Sequence, residues 1–174
     1  MKEALALGKW QFFVEPQIHA QIGMLLYMAQ RFDEAKPHLA QSFSRIGQAR
    51  AMYGALLFRE KNYDEMVKVF ENAVAQNKND GFLWSIYAWC LDAAGQTEKA
   101  LAVLARAVTT NPSDERVKQN QLALQNEKRM KMKAYGNEWW AFHLEKPPPS
   151  LTGGQPPQGF QVRKGYRQPP QRRH

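Results

Sequence analysis

Only one cysteine, Cys90, occurs in the 174-residue sequence, so no internal disulfide can form. A lone thiol suits a reducing compartment such as the cytoplasm. Cys90 lies in the apolar stretch from Trp84 to Leu91, where a small buried hydrophobe is expected and not a nucleophile. Long apolar runs are absent too: none approaches the roughly 18–20 residues that span a bilayer. The opening Met1-Lys2-Glu3-Ala4-Leu5 lacks the long apolar stretch and small-residue cleavage site of a signal peptide. These absences predict a soluble, unexported chain. The histidines, His19, His38, His143 and His174, match no zinc-ligand spacing, and one cysteine cannot complete a set. No metal or other cofactor is expected. No strand pattern occurs, and no Gly-rich loop follows one, which excludes the common nucleotide cradles. Carboxylates such as Glu65, Glu71 and Glu98 fall on solvated helix faces. No catalytic set is assembled, and no enzyme is predicted.

What is present is a folding composition with a basic excess. Hydrophobic residues make up 44% and charged residues 23%, enough apolar surface for most of the chain to bury a core. The formal charge of +8 favours acidic partners, whether nucleic acid, anionic lipid or acidic protein. Residues 137–174 hold 6 of the 24 basic residues but only 2 of the 16 acidic ones, so the excess is concentrated at that end.

The chain repeats itself. Phe32-Asp33-Glu34-Ala35, Tyr63-Asp64-Glu65-Met66 and Thr97-Glu98-Lys99-Ala100 lie 31 and 34 residues apart. Each follows a helix-length apolar segment and a polar break, and each opens a second helix-length segment. The third unit reads Trp84-x2-Tyr87-Ala88-x2-Leu91, then Ala100-x3-Leu104, then Pro112. The second reads Arg50-x2-Tyr53-Gly54-x2-Leu57, then Met66-x3-Phe70, with Lys78 at the proline position; the first reads His19-x2-Ile22-Gly23-x2-Leu26, then Ala35-x3-Leu39. This pattern resembles the tetratricopeptide repeat over about residues 16–112. The resemblance implies an all-α fold: a superhelical solenoid of helical hairpins with a C-terminal capping helix and an extended tail. Gly23, Gly54 and Ala88 are small where paired helices cross closely, and Ala35 and Ala100 are small on the facing helix.

The pattern predicts helices near 16–29, 32–44, 47–60, 63–76, 81–94 and 97–109. Pro37 sits late for a first-turn proline, so the start of its helix is expected to be distorted. A seventh helix is expected from Ser113 to about Tyr135, with Asp114 and Glu115 at its positive end, Lys128, Arg129, Lys131 and Lys133 at its negative end, and Gly136 stopping it. Its polar surface suits a solenoid cap. Residues 1–15 read as an N-terminal helix or partial repeat, with 1–9 helical. The repeat thus begins mid-unit, either because a first helix or membrane anchor precedes it or because this helix caps the front. Residues 16–136 form the solenoid with its cap. Residues 137–146, with Trp139, Trp140, Phe142 and Leu144, are expected to dock on the solenoid, either in its concave trough or on the last hairpin; the last hairpin is the nearer, which would leave the trough free for a partner peptide. Residues 147–174 contain seven prolines, four glycines, five basic residues and no acid, and are expected to be a disordered basic tail.

In tetratricopeptide repeats the first helix of each hairpin lines the concave groove. Carried onto this sequence, that stripe includes Met24, Tyr27, Ala55, Phe58, Phe82 and Trp89. Relatives that clamp the acidic C-terminus of a chaperone place Lys, Arg and Asn there, and those residues are missing. The resemblance therefore implies a scaffold or adaptor that binds a protein or peptide partner in an apolar groove. In the tail, Arg163, Lys164, Arg167, Arg172 and Arg173 interleave with Phe160 and Tyr166. That spacing offers a second function: contact with nucleic acid or an anionic membrane surface.

Overall fold

A computed structural model describes residues 2–148, with side chains from residue 14 onward. Seven principal helices follow one another: α1 (Lys2–Met28), α2 (Phe32–Ala40), α3 (Gly47–Arg59), α4 (Tyr63–Gln76), α5 (Gly81–Ala93), α6 (Thr97–Thr110) and α7 (Glu115–Gln125). A 3-10 turn (Met132–Tyr135) and the single turn α8 (Asn137–Trp140) complete the described chain. The described residues contain no strand, and no helix among them is long and apolar enough to cross a membrane. The all-α solenoid expected from the repeat spacing is the fold observed.

The three hairpins close in one way. Gln30, Lys61 and Gly95 stand at equivalent places, and all have positive φ, near +60°, +60° and +78°. One residue further on, the N–H groups of Arg31, Asn62 and Gln96 donate to the carbonyls of Leu26, Leu57 and Leu91. This is the helix-ending motif in which a left-handed residue folds the chain back over the last turn. Two Asn side chains tie successive hairpins together: Asn77 donates to the Ser44 carbonyl and Asn111 to the Lys78 carbonyl, each at 2.9 Å.

Close helix crossing explains Gly54. A methyl group there would lie within 3 Å of several atoms of the Phe70 ring. Phe70 is fully buried and stacks on Tyr87 with centroids 5.0 Å apart, so the ring has nowhere to go. Gly54→Ala is expected to destabilise the fold by about 1–3 kcal/mol, outweighing the gain of about 1 kcal/mol in helix propensity. Urea unfolding followed by circular dichroism checks this; a stabilised variant would show that α3 and α4 cross more loosely.

Four expectations need correction. Residues 1–9 and 16–29 belong to one continuous helix, α1, which runs through Pro16. α2 stops at Ala40, not near residue 44, where the Ser42 hydroxyl and N–H both turn back to the Leu39 carbonyl. The capping helix ends at Gln125, about ten residues early. Glu127 adopts φ near +53°, and the Lys128 N–H reaches back to the Ala123 carbonyl, repeating the motif that closes the hairpins. The fourth correction concerns the aromatic segment after Gly136 and is described with the site. Residues 149–174, and with them the expected tail, lie outside the described residues.

Candidate functional site: the concave trough

The first helices of the hairpins, α1, α3 and α5, line one face. Tyr27 comes from α1, Phe58 from α3, and Phe82 and Trp89 from α5; Phe58 and Trp89 meet edge to face at 5.6 Å. The expected stripe residues converge there, but they are not open. Tyr27 and Ala55 are fully buried, and Met24, Phe58, Phe82 and Trp89 are half-buried against the core.

The trough is filled by the chain's own segment after α7. Trp139 and Phe142 are each 1% exposed, although they lie beyond the solenoid in sequence. Trp139 sets its edge against Trp89 at 5.0 Å and donates its indole N–H to Glu145 at 3.2 Å. Phe142 packs against Phe82 at 5.4 Å and Tyr27 at 6.2 Å. Tyr135 packs against Phe82 at 5.0 Å and shares a 2.7 Å hydrogen bond with Ser85 on α5. The segment touches the last hairpin through α5, as expected, but the expectation that the trough stays free is corrected: the segment lies along it and reaches Tyr27 on α1 and Arg59 on α3. The short α7 explains why. The chain reverses at residues 126–131, so the aromatic segment starts beside α5 instead of ten helical residues further away.

Backbone contacts hold the segment as well as side chains. The Tyr27 hydroxyl donates to the Phe142 carbonyl at 2.6 Å. Arg59 donates to the His143 carbonyl and stacks its guanidinium on Phe32, 4.4 Å from the ring centroid. His143 itself has φ near +50°, which turns its carbonyl toward Arg59. Asn120 on α7 organises the approach. It is buried, accepts from the Lys131 N–H at 2.7 Å, and lies 3.4 Å from the Ser85 hydroxyl.

The electrostatics are those of a packed interface. Burial pushes the Tyr135 phenol up to about 12 and the Tyr27 phenol higher still. Burial alone pushes the Cys90 thiol up, which keeps it protonated and unreactive at neutral pH. His19 and His38 approach with their Nδ1 atoms 2.9 Å apart, joining α1 to α2. Glu71, read as solvated, instead accepts from Arg106 at 2.8 and 2.9 Å and from Tyr87 at 3.0 Å, linking two hairpins. Burial aside, the Arg106 guanidinium holds its carboxyl below the usual range. Among the described residues no three His, Cys, Asp or Glu side chains come together as metal ligands would.

Arg59, Asn120 and Tyr135 are the trough residues that sequence reasoning missed. Trp139 and Phe142 were visible as an aromatic cluster, but nothing in the pattern placed them. The tail residues Arg163, Lys164, Tyr166, Arg167, Arg172 and Arg173 lie outside the described residues.

Comparison with known proteins agrees with the geometry. Residues 57–123, from the end of α3 to α7, match the tetratricopeptide repeat family. No curated protein matches the chain. The match spans the third hairpin and the second helix of the second, and the left-handed turn and groove-lining first helices that all three hairpins share make the chain similar in architecture to tetratricopeptide repeats.

Proposed function

We propose that the chain is a protein-interaction scaffold whose trough is a receptor for an aromatic peptide, occupied in the resting chain by its own residues 132–144. Tetratricopeptide repeats mediate protein–protein interactions and are typically non-enzymatic modules. One observation carries the finer reading: the trough takes up aromatic side chains and also binds backbone carbonyls, through Tyr27 and Arg59. That combination is how a groove recognises a peptide. A partner peptide engages Met24, Tyr27, Ala55, Phe58, Phe82 and Trp89 by replacing the internal segment.

The test uses a labelled synthetic peptide of residues 131–146. A tethered segment acts at an effective concentration of about millimolar, so the native chain is expected to ignore the added peptide. A full-length chain with Trp139→Ala and Phe142→Ala is expected to bind it with a dissociation constant on the order of micromolar, read by fluorescence anisotropy. If the folded variant takes up no peptide, the trough is only a core and the receptor reading fails.

A second reading places binding in the tail, through Arg163, Lys164, Tyr166, Arg167, Arg172 and Arg173, with nucleic acid or an anionic membrane as partner. Its support is the interleaving of cations and aromatics in the sequence. Removing residues 147–174 separates the two: a scaffold keeps its protein partner, whereas a tail-driven binder loses its salt-sensitive affinity.

A further inference from the structure

The first helix carries an apolar stripe that nothing in the described chain covers. Val14, Ile18, Ile22, Leu25 and Met28 are between 37% and 63% exposed. Their spacing of four, four, three and three residues keeps them on one face of α1.

The repeat register identifies this face. Ile18 corresponds to Ala49 and Leu83, Ile22 to Tyr53 and Tyr87, and Leu25 to Leu56 and Cys90. Those counterparts on α3 and α5 are buried, apart from the half-buried Tyr53. Tyr87 shows what covers the position in a later unit: it stacks on Phe70 and bonds Glu71, both on α4, the second helix of the preceding hairpin. The stripe on α1 is therefore a stacking face, shaped to receive a helix running antiparallel to α1.

We propose that a second copy of this chain covers it, giving a two-fold dimer in which the two α1 helices pack antiparallel. Three observations favour this occupant. The stripe is close to self-complementary: pairing Ile18 of one copy with Leu25 of the other brings Val14 within one position of Met28 and sets Gln21 and Ile22 beside the two-fold axis. Between residues 14 and 30 the only carboxylate, Lys or Arg is Glu15, so two chains of formal charge +8 meet where like-charge repulsion is least. The opposite end of the solenoid cannot serve, because the outer face of α7 exposes Glu115, Arg116, Gln119 and Gln125 around a single large apolar residue, Leu122. Head-to-tail stacking would bury the stripe against that polar surface, whereas head-to-head association buries apolar against apolar and closes. One stripe on one helix is a small interface, in the class at or below about 1,200 Å² in total, so a dissociation constant on the order of micromolar is expected. The inference is independent of what the trough binds.

Sedimentation equilibrium of the full chain tests it. The native chain is expected to pass from monomer to dimer as concentration rises through the micromolar range. Ile18→Glu with Leu25→Glu is expected to remain monomeric, with unchanged helicity because both positions are exposed. Ile18→Lys with Leu25→Lys is expected to behave the same alone, and a mixture of the two variants to form a one-to-one dimer, since each Glu then faces a Lys. A native chain that stays monomeric throughout overturns the proposal, as does a dimer that survives the double Glu change. A mixture that fails to associate overturns the antiparallel pairing. A monomer that sediments with anionic phospholipid vesicles, and ceases to do so with Leu25→Glu, assigns the stripe to a membrane surface and likewise overturns the proposal.

Discussion

Replacing Trp139 and Phe142 together by alanine is expected to lower the melting temperature by about 10–30 °C. Truncating a buried Trp or Phe costs about 3–5 kcal/mol, and in a chain of this size each kcal/mol moves the midpoint by about 2–4 °C. The two side chains share neighbours, so their losses overlap and the lower half of the summed cost applies. Both are 1% exposed, and both touch groove residues of α5. Trp140→Ala is the control. Trp140 is only half-buried, packed at the edge of the same cluster, and its loss is expected to shift the midpoint by a few degrees. Differential scanning fluorimetry reads all three variants. If the double variant melts with the native chain, the segment does not contribute its contacts to the folded state.

Asn120→Leu is expected to cost about 2–3 kcal/mol even though leucine matches asparagine in shape and suits a helix. The change strips the Lys131 N–H of its acceptor and takes a partner from the Ser85 hydroxyl. A buried donor left unpaired costs about 1–3 kcal/mol, more than the added apolar contact returns. The variant has a second signature. Lys128, Arg129, Lys131 and Lys133 line the reversal that Asn120 holds, and all four are exposed. Trypsin is expected to cut there faster in the variant, while the hairpins up to α6 stay protected. Equal trypsin rates in both chains would mean that the reversal is held by Met130 and Met132 packing and not by Asn120.

The hairpins were legible because a repeated pattern fixes many positions at once. Spacings of 31 and 34 residues placed the small residues at helix crossings and the first helices along the groove. Legibility failed where a single residue departs from its local preference. The cations from Lys128 to Lys133 suit the negative end of a long helix, so α7 was extended through them. The left-handed turn that ends it falls on Glu127, a residue type that gives no such signal, whereas Gly95 marks its turn openly. That one reversal also decided the site. A helix running to Tyr135 would carry the aromatic segment away from the trough, and the observed turn delivers it there. The front of the solenoid differs in another way. The repeat pattern begins a helix near residue 16, but α1 continues through Pro16. The stripe positions line the trough in the structure, and what the sequence left undecided is that residues 132–144 lie along it. Reach along the chain depends on tertiary turns, which periodicity does not encode.

The account stands on residues 132–144 lying in the trough, and a double-mutant cycle between Trp89 and Trp139 tests it most directly. Their rings meet edge to face at 5.0 Å. Trp89→Ala, Trp139→Ala and the double variant are each unfolded in urea. The expected coupling is about 1 kcal/mol, the scale of an aromatic pair in contact. Additive losses, with coupling below about 0.3 kcal/mol, would place the two tryptophans apart and leave the trough without its internal ligand.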